Sequence, residues 1–304
     1  MEAAASLDYR PDPNASRLAA GTTGSVGVLV PRVDGWRHTR LLAGVESTLT
    51  STDHDVVLRS AVRDNPMAVV EAVRAMRNRV DGLLLVDVHL TDDEVEVLGD
   101  VGLPVVMVGT GAAGFDAVTV DDRGGAAGVA HHLAGLGHRR IAFVDLDPDE
   151  VIPHGAAFER RSGFRAGLAQ RGIEAVVELG GEGSAAGGAA ALARLLAVPS
   201  RPTAVFAAGD EMALGLLLAA RRHGLDVPGD LSVVGFDGHE LAGAAGLTTV
   251  AVDLAEVGVI AARRVIDRVG IDALPAHEVV AAELVVREST ARPGSGHRPM
   301  ADRR

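Results

Sequence analysis

Short apolar runs alternate along this chain with longer segments of helical spacing. Val26–Val30 is an unbroken apolar run closed by Pro31 and reads as a buried strand. Leu41–Leu49 then has helical periodicity, and Asp55–Leu58 is a second short strand. Pro66 is placed to open a helix at its first turn, with Val69, Val70, Val73 and Met76 on one face. Gly82–Val88 is a third strand. Thr91, with Glu94 three residues on, has the spacing of a capping box. Pro104–Val108 and Val118–Val120 follow as strands. The pattern repeats: helix Ala126–Leu136 stopped by Gly137, strand Arg140–Val144, helix Phe158–Arg171 stopped by Gly172, and strand Ala175–Leu179. Helix Ala185–Ala197, strand Ala204–Ala207, helix Glu211–His223, strand Leu231–Gly235, strand Thr248–Val252, helix Ala255–Val269 and strand Leu284–Glu288 complete it.

Strands read as continuous apolar runs, each followed by a helix, imply parallel sheets covered on both faces. The series is too long for one sheet of ordinary size, so two successive α/β lobes are expected. At 304 residues the length also suits two domains. Ligands in such sheets bind beyond the carboxyl ends of the strands, and between two lobes that rule predicts a cleft.

Composition narrows the chemistry. Cysteine is absent, which removes disulfides, thiol nucleophiles, zinc thiolates and iron–sulfur clusters. Lysine is absent too, so all 29 basic residues are arginine, and neither Schiff-base chemistry nor a Walker-type phosphate loop is available. A net charge of -12 argues against nucleic-acid binding through the bulk surface. No apolar run reaches membrane-span length, and Met1–Ser6 does not begin like a signal peptide, so a cytoplasmic protein is expected.

Three motifs invite over-reading. Gly109–Gly114 fits G-x-G-x-x-G, but a dinucleotide fingerprint opens a helix and here a strand is expected next. His131 and His132 point about 100° apart on a helix, which does not suit a metal. Gly180–Gly188 is glycine-rich without the lysine of a phosphate loop. No cofactor, no metal site and no enzymatic constellation is expected.

An ordered set of segments carries a family resemblance. Gly24–Pro31, Val80–Leu83, Val120–Arg123, Leu136–Ile141 and Arg160 with Gly163–Phe164 come first. Pro202–Ala208, Asp210–Gly215, Val227–Pro228, Asp230–Asp237, Leu247–Val250 and Arg287–Thr290 follow. From about Leu7 to Ser289 the chain resembles the LacI/GalR family of transcription regulators. The resemblance implies a two-lobed, periplasmic-binding-protein-like (type I) core, each lobe a parallel sheet flanked by helices. It places chain crossings near Leu136–Gly137, Thr249–Ala251 and Ala273–Glu283. The expected division is 1–23 as headpiece remnant and hinge, 24–136 plus 251–273 as the N-terminal lobe, 137–250 plus 282–290 as the C-terminal lobe, and 291–304 as a disordered tail. The family's helix-turn-helix headpiece is expected to be absent from this chain.

What the resemblance implies is a repressor whose core binds a small effector, a sugar or related metabolite, in the inter-lobe cleft and so controls operator binding of a homodimer. Tyr9, Arg10, Pro11, Arg17 and Leu18 match the hinge, with Leu18 at the position that wedges into the DNA minor groove. Arg160 matches the effector-gripping arginine, whose planar fork suits hydroxyls or a carboxylate. Asp237 matches an aspartate that accepts two hydroxyl bonds; Asp87, Asp121 and Val252 are further cleft residues, with Asp122 and His89 beside them. Trp36 is the only tryptophan and is expected at the lip of the cleft, where it either stacks on a sugar face or packs over its loop. The family's Asn-Pro-aromatic-aromatic stretch is replaced here by Gly35–His38, and Gly209 stands where a ligand-binding asparagine is common. Asp210 is expected to cap the helix at Glu211, and Arg161 to face solvent. The competing expectation is a stand-alone sugar-binding protein of the same fold without a DNA function.

Overall fold

A computed structural model describes residues 22–60, 67–146, 155–175 and 177–294. The hinge candidates Tyr9, Arg10, Pro11, Arg17 and Leu18, the helix-opening Pro66 and residues 295–304 lie outside the described residues.

The chain divides into two compact units, residues 1–118 with 255–278 and residues 119–254 with 279–304. The first contains β1 (Ser25–Val30), α1 (Trp36–Ser51), β2 (Asp55–Ser60), α2 (Ala68–Met76), β3 (Gly82–Val86), α3 (Asp92–Gly99) and β4 (Val105–Val108). Most of β5 (Asp116–Val120) belongs here as well, and α9 (Leu254–Asp267) returns to it. Its six-stranded sheet has the order β11-β5-β4-β3-β1-β2, with β11 at His277–Val280. The pairings β1–β2, β1–β3, β3–β4 and β4–β5 are all parallel. Burial follows: β3 (GLLLV) and β4 (VVMV) are buried at every position, as strands covered on both faces require. Thr91 caps α3 through the expected capping box, its hydroxyl accepting from the Glu94 N–H while a Glu94 carboxylate oxygen accepts from the Thr91 N–H at 2.8 Å. Gly109–Gly114 leads into strand β5 and opens no helix.

The second unit contains α4 (Asp122–Gly135), β6 (Ile141–Leu146), α5 (Ala156–Ala169), β7 (Val177–Gly181), α6 (Ala185–Leu196) and β8 (Ala204–Ala207). It continues through α7 (Asp210–Arg222), β9 (Ser232–Asp237), α8 (Glu240–Ala244), β10 (Thr248–Ala251) and β12 (Glu283–Val285). Its sheet order is β12-β10-β9-β8-β6-β7, parallel except for the antiparallel β10–β12 pair. Four of the chain's six phenylalanines pack in this core: Phe206 has ring centroids 5.2 Å from Phe143, 5.0 Å from Phe164 and 6.4 Å from Phe236.

Two boundaries differ from the sequence reading. Helix α4, expected in the N-terminal lobe, packs in the second unit, so the first crossing falls at 118–119 instead of 136–137. Small residues explain it. A side chain at Gly125 would stand 3.0 Å from the Phe236 ring, and one at Gly163 would meet the backbone carbonyl of Arg123, so glycine lets α4 lie directly on β9 and on α5. Residues 291–294, expected in the disordered tail, begin with Ala291 bonded to the start of β9 and to His138: its N–H donates to Ser232 Oγ at 3.2 Å and its carbonyl accepts from His138 Nε2 at 2.9 Å. Among the described residues, no helix is long and apolar enough to cross a membrane, and no group of three His, Asp or Glu could hold a metal.

Candidate functional site

In an open α/β sheet the ligand site lies at the carboxyl ends of the strands, where the strand order reverses. In the second unit that point is between β6 and β8. Asp145 ends the apolar part of β6, Ala208 and Gly209 follow β8, and Asp237 closes β9.

Arg160, on α5, fills this point. It is 4% exposed and donates from Nε to Asp122 Oδ1 at 2.7 Å, from Nη2 to Asp237 Oδ1 at 2.6 Å and from Nη1 to the Ala208 carbonyl oxygen. Its guanidinium carbon lies 3.7 Å from the centroid of the Phe236 ring. A cation this buried is tolerable only because carboxylates, a carbonyl and an aromatic face replace its water. Asp237 adopts φ 102°, a left-handed conformation unusual for a residue with a side chain. Gly209 leaves open space beside it: a Cβ there would have one neighbour within 4 Å, Asp237 Oδ2 at 3.4 Å.

Several expectations need correcting. Gly209, not Asp210, is the N-cap of α7. Asp210 is its first residue, 1% exposed, and its carboxylate accepts from the His239 N–H at 2.6 Å and from Thr249 Oγ1 at 2.6 Å. Burial, above all, pushes this carboxyl up to about 7; the neighbouring Asp237 adds to the rise, and the Thr249 and His239 bonds oppose it. Arg161 does not simply face solvent: its Nη2 lies 2.5 Å from the buried Asp145 carboxylate. Burial raises Asp145, against the pull of the Leu146 N–H and Arg161. Asp121 is the N-cap of α4, accepting from the Gly124 N–H at 2.9 Å. Val252 is buried, and its N–H reaches the Asp237 carbonyl at 3.3 Å.

In the first unit the order reverses between β1 and β3. Asp87 follows β3 at φ 49°, against Gly109 at φ 80°, where any side chain would strike the Asp87 carboxylate. His38 Nε2 and Arg37 Nε lie 3.1 and 3.5 Å from Asp87 Oδ2. Burial works to raise Asp87, but the Arg37 charge and His38 more than offset it and hold the carboxyl well below its usual range. Trp36 is half-buried and is the first residue of α1, so Trp36, Arg37 and His38 share the helix's first turn.

The structure brings the candidates Arg160 and Asp237 together and sets Asp87 against Arg37 and His38. Sequence reasoning offered Asp122 only as a weaker candidate beside Asp87 and gave Phe236 no role. Neither has a local signal: Asp122 sits 38 residues from Arg160 and reads as one of two acids opening a helix.

Comparison with known proteins agrees with this geometry. The family model described as "Periplasmic binding protein-like domain" matches residues 130–290. The ribose operon repressor of Escherichia coli (strain K12) is 30% identical over 78% of this chain and 72% of its own length. The chain belongs to the LacI/GalR family of transcription regulators. Among solved structures, a LacI-family regulator from Enterococcus faecium with bound ribose matches at TM-score 0.77 and 27% identity, covering 88% of this chain and 99% of that one. The lac repressor dimer bound to operator and an anti-inducer matches at TM-score 0.83 and 25% identity, covering 93% and 99%.

Proposed function

We propose that this LacI/GalR protein is a repressor whose core senses a small polyhydroxylated effector, a sugar or a close relative. The effector binds at the carboxyl end of the second unit's sheet, where Arg160 and Asp237 receive it. Occupancy changes how a homodimer holds operator DNA through the 9–18 segment, and the ligand is released unchanged. A repressor of this kind works in the cytoplasm, where its operator is. The single observation that supports this most is the buried Arg160 held between Asp122 and Asp237 over Phe236. That grid pre-orients charged and dipolar groups at a strand end, which is the preorganisation a polar ligand needs. Titration with pentoses, hexoses, disaccharides, nucleosides and sugar phosphates, followed by Trp36 fluorescence and melting temperature together, tests it. Ligand at 100 times Kd stabilises by about 2.7 kcal/mol, which melting resolves. A saturable sugar hit lost in Asp237→Ala supports the reading. A hit that leaves operator affinity unchanged, or binding untouched by Asp237→Ala, overturns it.

A further inference from the structure

Asp210 does something the Arg160 grid does not explain. Its carboxyl group is buried on the first turn of α7 and touches three other parts of the unit. Oδ2 accepts from the His239 N–H, two residues past Asp237. Oδ1 accepts from Thr249 Oγ1 on β10 and lies against Gly235 of β9, so closely that any side chain at Gly235 would collide with it. The carboxyl group therefore grips the chain on both sides of Asp237, at Gly235 and at His239. Asp237 itself holds an unfavourable φ of 102°, which persists only where surrounding contacts over-determine it.

Asp237 at the end of β9 and His239 at the N-cap of α8 flank the Asp210 carboxyl group, and Asp237 is in turn paired with Arg160 on α5, which also holds Asp122 on α4. His239 uses Nδ1 to accept from the Leu241 N–H at 3.0 Å. Asp237, which is bonded to Arg160, is thus a second carboxyl group close enough to Asp210 to oppose its ionisation. The hydrogen bonds around Asp210 accommodate a proton. The Thr249 hydroxyl stands 2.6 Å from Oδ1 and 3.4 Å from the Val250 carbonyl oxygen. With Asp210 ionised, Thr249 donates to Oδ1. With Asp210 neutral, its O–H donates to Thr249 Oγ1, whose own hydrogen turns to Val250. Burial favours the neutral form, which places the change near neutrality.

We propose that Asp210 is a positioning residue of the effector site: it clamps the Gly235–His239 segment that carries Asp237, and a single proton on its carboxyl group sets the clamp. The proposal rests on the second unit being the effector site, since only then does placing Asp237 matter to binding. It makes effector affinity a function of pH. Filling the site removes water from the neighbouring Asp210 and Asp237 carboxyl groups and so favours the protonated clamp; affinity then falls as pH rises above about 7.

The test begins without any ligand. Protein labelled at the aspartate carboxyl carbon is titrated by NMR from about pH 5 to about pH 9, alongside Asp210→Asn and Thr249→Val. One carboxyl resonance should titrate near 7 and vanish in Asp210→Asn. The amides of Gly238 and His239 should move with the same midpoint, and the Thr249→Val midpoint should shift upward because the hydroxyl no longer stabilises the anion. Asp210→Asn resembles the neutral form and can donate to Thr249, so its melting temperature should not fall with rising pH as that of the parent does. A carboxyl titrating below about 5, or an unmoved midpoint in Thr249→Val, overturns the proposal; Thr249→Val and the parent decide it should Asp210→Asn not fold.

D-Ribose then serves as the probe of function. Binding heats measured in buffers of different ionisation heat should show uptake of up to one proton per ligand in the parent and none in Asp210→Asn. Affinity should weaken by up to tenfold per pH unit above the midpoint. Binding without proton uptake overturns the coupling. Failure of ribose and the other sugars to bind at all counts against the sugar reading above, while the ligand-free titration still decides Asp210.

Discussion

Replacing Arg160 with methionine keeps the apolar stem of the side chain and removes the charge from a site that is 96% buried. Asp122 and Asp237 then lose the cation that each holds at 2.7 and 2.6 Å, and the Ala208 carbonyl loses its side-chain donor. Breaking a buried pair by removing one partner costs about 3–5 kcal/mol, because the other charge is left without compensation. The orphaned carbonyl adds about 1–3 kcal/mol and the lost contact with Phe236 about 0.5–2 kcal/mol. These contributions share atoms and do not add fully, so a loss of about 4 kcal/mol is expected, a large part of the roughly 5–15 kcal/mol available to a folded domain. Urea unfolding followed by circular dichroism measures it. The variant also predicts its own pH dependence. Two buried carboxylates that have lost the Arg160 charge are costlier to keep ionised, so the deficit should be larger at about pH 8 than at about pH 5. Replacing all three residues with apolar ones of similar volume should recover much of the loss, since a buried ion cluster is poor at stabilising relative to packed hydrocarbon. A deficit below about 1 kcal/mol, or one that grows as the pH falls, would refute the reasoning.

Other substitutions probe the scaffold. Gly163→Ala should force α4 away from α5 at the Arg123 carbonyl and lower the melting temperature, by an amount consistent with the roughly 1–3 kcal/mol of an overpacked contact. Thr91→Ala removes the hydroxyl half of the α3 capping box and should cost about 1 kcal/mol in urea unfolding. Asp116 is held low: burial opposes its ionisation, but the Arg268 bonds, the Ala276 N–H and the charges of Arg268 and Arg264 prevail. A depressed carboxyl contributes stability that is complete above its unfolded value of 3.8 and lost as pH falls through the lower folded value. Asp116→Asn should therefore be less stable than the parent at neutral pH and converge on it in acid, as acid-titrated unfolding will read. His138 is pushed down by burial, so its contribution is complete above 6.5 and lost as pH falls below it. Amide protection factors in residues 289–294, which His138 anchors through Ala291, should fall between about pH 7 and pH 5 in the parent once the intrinsic exchange rate at each pH is divided out.

What the sequence determined by itself was periodic and local. Apolar runs such as Leu83–Val86 and Val105–Val108 are buried on both faces, and that double burial is what makes a parallel α/β sheet readable from composition along the chain. The Thr91 cap, with Glu94 three residues away, was legible for the same reason: both partners lie within one helical turn. Ordered segments matching a known family pointed to Arg160 and Asp237 as candidates. The tertiary structure decided what those residues touch. Arg160 meets partners 38, 48 and 77 residues away, and no spacing in the chain encodes that Asp122, Ala208 and Asp237 converge on one guanidinium. Asp210 reads locally as a cap because an acid opening a helix has that pattern; only the approach of β9 and β10 turns its carboxyl group toward Thr249 and the His239 amide. Helix α4 went to the second unit on the strength of Gly125 and Gly163, whose missing side chains matter only once the surface that would have struck them is in place. Local propensity needs only neighbours in sequence, whereas burial, charge pairing and close approach depend on groups that folding brings together from far apart.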